Sequence, residues 1–211
     1  MQYFYLHGFL SGPRSKKGEF LASKFQEKGI TLIRPDLNDG DFGRMTISSQ
    51  LAVVEKQLTN NAEPTILIGS SLGAYLALLL ADKLLHIEKL VLIAPAFEFA
   101  ERFLKTMDSS QLADWKNKGY ISLYHYHHQK AVKLKYDIVE DGMKYHGRSI
   151  HREIESLVFH GINDASVPYE LSVEYLKKNG QARLILLNSD HGMLEQLELM
   201  WSYIDLFLTA T

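Results

Sequence analysis

A serine between two glycines is the feature of this sequence best suited to covalent chemistry. The motif Gly69-Ser70-Ser71-Leu72-Gly73 directly follows the apolar run 65–68 and directly precedes a nearly all-apolar helical segment. Glycines two residues before and after a serine permit a sharp strand-to-helix turn that lifts its hydroxyl above the sheet edge. Ser71 is therefore the predicted nucleophile, in preference to Ser70, which lacks these flanking glycines. A glycine-rich turn that merely connects strand and helix is the alternative interpretation.

A base and an acid for this serine occur later in the chain. Asp164 lies in the segment that follows the apolar run 156–159, and His191 follows the run 183–187. The chain order serine, acid, histidine predicts His191 as the general base and Asp164 as the carboxylate that orients it. Asp190 adjoins His191 in sequence, so its side chain is poorly placed to receive the imidazole N–H. A turn or helix-capping role is the alternative for Asp164.

The segment His7-Gly8-Phe9 closes the first apolar run of the chain. The backbone N–H of Phe9, together with that of Leu72, is predicted to form an oxyanion hole. Gly8 would let the chain turn over the site with no side chain in the way. We therefore place His7 and Gly8 at the substrate-binding site, with His7 as a hydrogen-bonding support rather than a catalyst.

The elements that must position these residues alternate between strands and helices. Six short apolar runs are typical of strands buried on both faces of a parallel sheet, at residues 3–6, 31–33, 65–68, 89–93, 156–159 and 183–187. Five segments between and after them have helical spacing, at residues 16–27, 48–58, 72–84, 167–178 and 192–208. The pattern predicts an α/β fold with a mainly parallel six-stranded sheet and helices on both faces.

Residues from about 97 to 147 interrupt this alternation and are predicted to form a cap-like insertion within a single domain, 1–211. A weak helix at 99–116 and, within 120–136, a hairpin or an extended excursion around Gln129-Lys130 are expected there. Phe97 and Phe99 are predicted to line the substrate pocket. The alternative is that the aromatic residues of the insertion pack together as a second small core; they also include Phe103, Trp115, Tyr120, Tyr124 and Tyr126.

Composition narrows the function classes. The chain of 211 residues has a formal net charge of −2 and no cysteine, which excludes disulfides, thiolate metal sites and a cysteine nucleophile. No basic surplus indicates a nucleic-acid partner, and no signal peptide or membrane-spanning run is present, so we expect a cytoplasmic protein with neither nucleic-acid nor membrane partner. No cofactor and no metal are expected, although five histidines could suggest a metal site: His125, His127, His128, His146 and His151.

The whole chain resembles a small α/β-hydrolase, and two stretches resemble the YqiA-like esterases: Tyr5-Leu6-His7-Gly8-Phe9-Leu10-Ser11-Gly12-Pro13 and Gly69-Ser70-Ser71-Leu72-Gly73. The resemblance implies hydrolysis of small carboxylic esters. It also implies the spatial strand order 2-1-3-4-5-6, which is the superfamily's order without its first two strands. The chain departs from the superfamily pattern by starting at what would be its third strand, without the leading antiparallel hairpin.

The predicted function is that of a serine hydrolase that cleaves short-chain carboxylic esters through an acyl-enzyme. Thioester hydrolysis, acyl transfer and peptide hydrolysis use the same residues. A binding protein that has kept the fold without turnover is an alternative from a different class, because fold alone does not fix function.

Overall fold

The computed structural model describes residues 1–38, 40–58, 63–125, 129–148 and 150–209. Its central sheet has six strands in the order β2-β1-β3-β4-β7-β8, and every neighbouring pair is parallel. The fold class and the spatial order of strands predicted from the sequence are confirmed. The strands are β1 (Gln2–Leu6), β2 (Leu32–Ile33), β3 (Thr65–Ser70), β4 (Ile87–Ile93), β7 (Glu155–Gly161) and β8 (Ala182–Leu187).

Helices cover both faces of this sheet. On one face, α2 (Ile47–Leu58), α3 (Leu72–Lys83) and α7 (Glu170–Lys178) contribute to one apolar cluster with β1, β3, β4 and β7. On the other face, α1 (Lys16–Glu27) and α8 (Leu197–Thr209) pack on the alternate side chains of the same strands. Because successive residues of a strand point to opposite faces, near-continuous apolar strands supply both cores.

Residues between β4 and β7 form a separate layer. It contains α4 (Phe99–Lys105), α5 (Ser109–Lys118), the antiparallel hairpin of β5 (Tyr120–His125) and β6 (Lys130–Lys135), and α6 (Asp137–Gly142). The expected single helix at 99–116 is wrong: Asp108 begins α5 with a capping box, its carboxylate accepting from Gln111 N–H while the Gln111 side chain accepts from Asp108 N–H. Of the two alternatives expected at 120–136, the hairpin is confirmed, but Lys130 already begins β6 and lies opposite His125, so the turn precedes it. Residues 126–128 lie outside the described part of the chain.

Two helices begin later than the sequence indicates. The backbone of Val167 is held outside α7, because its N–H donates to Asp164 and its carbonyl accepts from His160. The last helical segment is delayed by a turn in which Met193 has a φ of 47°, followed by a short 3₁₀ turn, Leu194–Gln196. In both places, the chain near the predicted acid and base is shaped by side-chain bonds instead of helical ones.

Candidate active site

The turn after β3 is tightly packed backbone. A Cβ at Gly69 would lie 2.5 Å from backbone atoms of Ala74, and one at Gly73 would lie 2.1 Å from the carbonyl oxygen of Leu6. Only glycine fits at either position, which explains the spacing seen in the sequence. Ser71, between them, has a φ of 54° and a ψ of −118°, a backbone conformation that costs about 1–3 kcal/mol and is found at functional turns.

The three residues predicted for catalysis meet at the carboxyl ends of β3, β7 and β8. His191 Nε2 lies 3.0 Å from Ser71 Oγ, and His191 Nδ1 lies 2.6 Å from Asp164 Oδ2. Because the carboxylate accepts, the imidazole proton lies on Nδ1, which leaves Nε2 free to accept from the serine hydroxyl. This is the arrangement in which a histidine removes a proton from serine.

Asp164 is held as an anion by four donors. Its Oδ1 accepts from the N–H groups of Ser166 and Val167, both at 2.8 Å, while Oδ2 accepts from His191 and, at 3.2 Å, from His160 Nε2. Burial acts to raise the pKa of Asp164, but the bonds from His160, His191 and Val167 outweigh it and hold that pKa well below its ordinary value. Asp164 is therefore ionised in the folded protein at neutral pH.

His160 is a participant that the sequence did not single out. Its ring is fully buried; Nδ1 lies 2.7 Å from Ser172 Oγ, and Nε2 lies 2.9 Å from the carbonyl of Val167. The carbonyl can only accept, so the proton is on Nε2, from which it also faces Asp164. A histidine at the end of an otherwise apolar strand, four residues before the predicted acid, was the signal available in the sequence.

The loop that carries His191 is fixed by two side chains. Asp190 Oδ1 accepts from the N–H groups of Gly192 and Met193, at 2.7 and 3.1 Å, so this carboxylate shapes the turn. Lys17, from α1, donates to the carbonyl of Gly192 at 2.5 Å. Burial lowers the pKa of Lys17 to about 8, against the opposing effect of nearby carboxylates. No sequence signal links Lys17 to this loop, because the contact spans 175 residues.

The segment after β1 lies against the serine. A Cβ at Gly8 would lie 3.2 Å from Ser71 Cβ, so a side chain there would crowd the nucleophile. His7 is buried: its Nε2 accepts from Leu37 N–H at 3.0 Å, and its Nδ1 donates to the carbonyl of Gly8 at 3.0 Å. Through these two hydrogen bonds, His7 fixes the position of the loop that follows β1. Phe9 follows Gly8 directly, and Leu72 is the first residue of α3.

The two phenylalanines predicted to line the pocket point to different neighbours. Phe99 packs edge-on against Phe9, with ring centres 5.1 Å apart, and stacks on Phe103. Together with Trp115 they belong to a third apolar cluster, the arrangement given above as the alternative. Phe97 lies beside Tyr175, in the wall of a cavity of about 500 Å³ whose lining residues include none of Ser71, Asp164 and His191.

One group of side chains in the described part of the chain could hold a metal ion. Glu98, Glu101 and His146 each offer a ligand atom, and these atoms lie within 4.8 Å of one another. Glu101 already pairs with Lys105 at 2.6 Å and faces His146 at 3.6 Å. Ion pairing thus accounts for the position of Glu101. His127 and His128 lie outside the described residues. Among the described residues, no hydrogen bond or ion pair joins Glu98, Glu101 or His146 to Ser71 or His191.

Comparison with known proteins adds a family to this geometry. The family described as "Uncharacterised protein family (UPF0227)" matches residues 2–208. The chain belongs to this family. A search of curated proteins finds no matching sequence. None of the helices in the described residues is long and apolar enough to cross a membrane.

Solved structures of α/β-hydrolases share the fold of this UPF0227 member. Alpha/beta hydrolase domain-containing protein 10 from mouse is 21% identical with a TM-score of 0.83, covering 98% of this chain and 89% of that one. Est1E from Butyrivibrio proteoclasticus with bound ferulic acid is 19% identical with a TM-score of 0.80, covering 98% and 87%. Monoacylglycerol lipase from Paleococcus ferrophilus is 16% identical with a TM-score of 0.77, covering 99% and 94%. At these identities the likeness shows the fold.

Proposed function

We propose that this UPF0227 member is a serine hydrolase that cleaves carboxylic esters through an acyl-enzyme. The observation that carries the proposal is the unbroken chain of contacts from Ser71 Oγ to His191 and on to Asp164, at 3.0 and 2.6 Å. These distances are within the hydrogen-bonding reach that proton transfer requires. A structural role alone would not require a strained serine at the end of such a chain.

In the proposed reaction, Ser71 Oγ attacks the ester carbonyl while His191 Nε2 accepts the hydroxyl proton. The ester C–O bond then breaks, and His191 returns the proton to the departing alkoxide, which leaves as the alcohol. Water, deprotonated by the same nitrogen, attacks the acyl-enzyme; the acid leaves and Ser71 regains its proton. Asp164 keeps the imidazole in the required tautomer and stabilises the imidazolium.

The oxyanion of each tetrahedral intermediate is assigned to the N–H groups of Phe9 and Leu72. The close approach of Gly8 to Ser71 supports this assignment, as does the position of Leu72 in the first turn of α3. One such donor contributes about 3 kcal/mol to transition-state stabilisation. His7 would act indirectly, through its bond to the carbonyl of Gly8.

Short acyl chains are the proposed substrates. The aromatic rings nearest the oxyanion segment fill space with one another: Phe9 contacts Phe42, Phe99 and Phe103 at ring-centre distances of 5.1 to 5.8 Å. Because these rings pack on one another, we infer that a short acyl group fits better than a long chain on that side of the serine. The names of the structural neighbours, among them a lipase and an esterase solved with ferulic acid, agree with ester hydrolysis.

The test is a panel of chromogenic acyl esters of increasing chain length, with acyl-thioesters and peptides alongside, assayed on wild-type, Ser71→Ala and Ser70→Ala proteins. Turnover lost in Ser71→Ala and retained in Ser70→Ala is the expected result. A fluorophosphonate should label wild type on the peptide that contains Ser71. Binding of esters without turnover or labelling would favour the non-catalytic alternative, and preference for thioesters or peptides would change the substrate class.

A further inference from the structure

The hairpin of the insertion lies in a segment of unusual charge. Residues 116–136 contain five lysines and neither aspartate nor glutamate: Lys116, Lys118, Lys130, Lys133 and Lys135. Without these five, the chain's 23 basic residues fall to 18, against 25 acidic ones. The molecule is therefore acidic overall and carries one concentrated basic segment.

The strand register collects part of this charge on one surface. Tyr120 lies opposite Lys135, Ser122 opposite Lys133, and Tyr124 opposite Ala131. All six are exposed, whereas the alternate residues Val132 and Leu134 face the third apolar cluster. We call the surface formed by Tyr120, Ser122, Tyr124, Ala131, Lys133 and Lys135 the basic face. Lys130, also exposed, adjoins it at the start of β6, where the register sets it opposite the buried His125.

The charge of this face is not neutralised by ion pairs. Among the described residues, no carboxylate lies within ion-pairing distance of Lys130, Lys133 or Lys135, whereas neighbouring Lys118 is paired with Asp114. Lys133 instead lies over the ring of Tyr120, 4.2 Å from its centre. The three lysines also line one open groove beside the hairpin, with Lys118, Arg44, Asp41 and Asp137. Arg44 pairs with Asp41 there, and the five cationic side chains of the groove outnumber its two carboxylates. An anionic partner would complement this surface.

We propose that the basic face docks on the surface of a membrane that contains anionic lipids. The basic face itself carries lysine and no arginine, which distinguishes this partner from a protein, because protein interfaces are enriched in arginine and depleted in lysine. Lysine is a hydrated point charge that suits a diffuse negative surface, whereas bidentate phosphate recognition favours arginine. Tyr120 and Tyr124, exposed by 39% and 53%, have the amphipathic character found at membrane–water interfaces.

The proposed docking is peripheral and departs from the expectation, drawn from the sequence, that no membrane is a partner. It requires no spanning helix, and the described helices include none. Leu134 and Trp115 beneath the hairpin belong to the cluster on which Phe9 and Leu10 pack. The basic face thus overlies the layer next to the oxyanion segment. If the proposed function holds, docking brings the end of the molecule that carries the oxyanion segment close to lipid-borne esters.

Vesicle co-sedimentation tests the proposal without using activity. Wild type should bind phosphatidylcholine vesicles that contain 30% phosphatidylglycerol and should not bind pure phosphatidylcholine. The triple variant Lys130→Gln/Lys133→Gln/Lys135→Gln should bind on the order of 100-fold more weakly, at about five-fold per lysine. The matched control Lys56→Gln/Lys83→Gln/Lys177→Gln makes the same charge change on α2, α3 and α7 and should bind like wild type. Added salt should release the bound protein.

Two further arms separate this proposal from others. Ser71→Ala protein should bind vesicles like wild type, so loss of esterase activity and loss of docking are distinguishable. The docking proposal is overturned if both triple variants lose binding equally, or if wild type does not bind anionic vesicles. It is also overturned if the basic face prefers a single-stranded oligonucleotide or an acidic protein to vesicles at equal salt. Thermal unfolding of both variants identifies any loss that reflects misfolding.

Discussion

His191 Nε2 lies 3.0 Å from Ser71 Oγ, although 120 residues separate the two along the chain. The contact exists because β3 and β8 both end at the same edge of the parallel sheet, where the loops that follow them converge. The proximity of Ser71 and His191 in the proposed catalytic unit therefore depends on the order of the strands as well as on the residue types.

Replacing Ser71 or His191 by alanine is expected to lower kcat by several orders of magnitude. The double variant Ser71→Ala/His191→Ala should be hardly worse than either single variant, because nucleophile and base act as one unit and their losses do not add. Steady-state kinetics on the preferred ester measures this. Additive losses would mean that the two residues act independently, contrary to the geometry.

The two neighbouring carboxylates are expected to respond differently to amidation. Asp164→Asn should reduce kcat strongly, though less than Ser71→Ala, because an amide cannot stabilise the imidazolium. Asp190→Asn should be near neutral, since the amide oxygen can still accept from the N–H groups of Gly192 and Met193. A damaging Asp190→Asn together with an active Asp164→Asn would show that the acid is wrongly assigned.

Removal of the His160 side chain is expected to affect stability and catalysis together. His160→Leu leaves the Val167 carbonyl and the Ser172 hydroxyl buried without this partner, at a cost of about 1–3 kcal/mol each. It also deprives Asp164 of one hydrogen-bond donor, which should raise the pKa of Asp164 and orient its carboxylate less firmly toward His191, so kcat should fall. Urea unfolding and steady-state kinetics on the preferred ester measure the two effects. An unchanged kcat would leave His160 with a purely structural role.

Lys17 should make stability depend on pH in the alkaline range. Its pKa falls from an ordinary value of 10.5 to about 8 in the folded protein, mainly through burial. Between pH 8 and 10.5 the unfolded chain holds this proton and the folded protein does not, so the contribution of Lys17 to the unfolding free energy rises with pH. Urea unfolding of wild type and Lys17→Met at pH 7 and 10 isolates this contribution. Wild type should gain relative to the variant at pH 10; an equal difference at both values would contradict the prediction.

The Phe97→Ala variant is expected to change ester selectivity, whereas the Phe99→Ala variant is expected to lose stability. Phe99 packs on Phe9 and Phe103, so its loss should lower stability by about 2–4 kcal/mol and reduce turnover of short and long esters alike. Phe97 lines a cavity of about 500 Å³ that none of Ser71, Asp164 and His191 lines. Its loss should change the free-energy difference in kcat/KM between short and long esters by about 1–3 kcal/mol, which would place part of the acyl chain in that cavity. Equal losses for both esters in Phe97→Ala would remove this residue from the proposed substrate site.

The sequence by itself determined the fold and the identity of the three candidate catalytic residues. Periodicity identified the strands because both faces of a parallel sheet are buried, and this makes each strand a short apolar run. The spacing of Gly69, Ser71 and Gly73 was informative because each glycine meets backbone atoms at distances that admit no Cβ. Asp164 and His191 followed from chain order once the strands were placed.

Only the tertiary structure decided what supports these residues. His160 and Lys17 act through contacts with Asp164 and Gly192, and Lys17 reaches its partner across 175 residues, so local pattern carries no trace of that contact. In the insertion, the side chains of Phe97 and Phe99 likewise pack against different neighbours, although the two residues are only two positions apart in sequence. Side-chain packing in an irregular segment depends on which neighbours the fold brings near, and periodicity does not specify those neighbours.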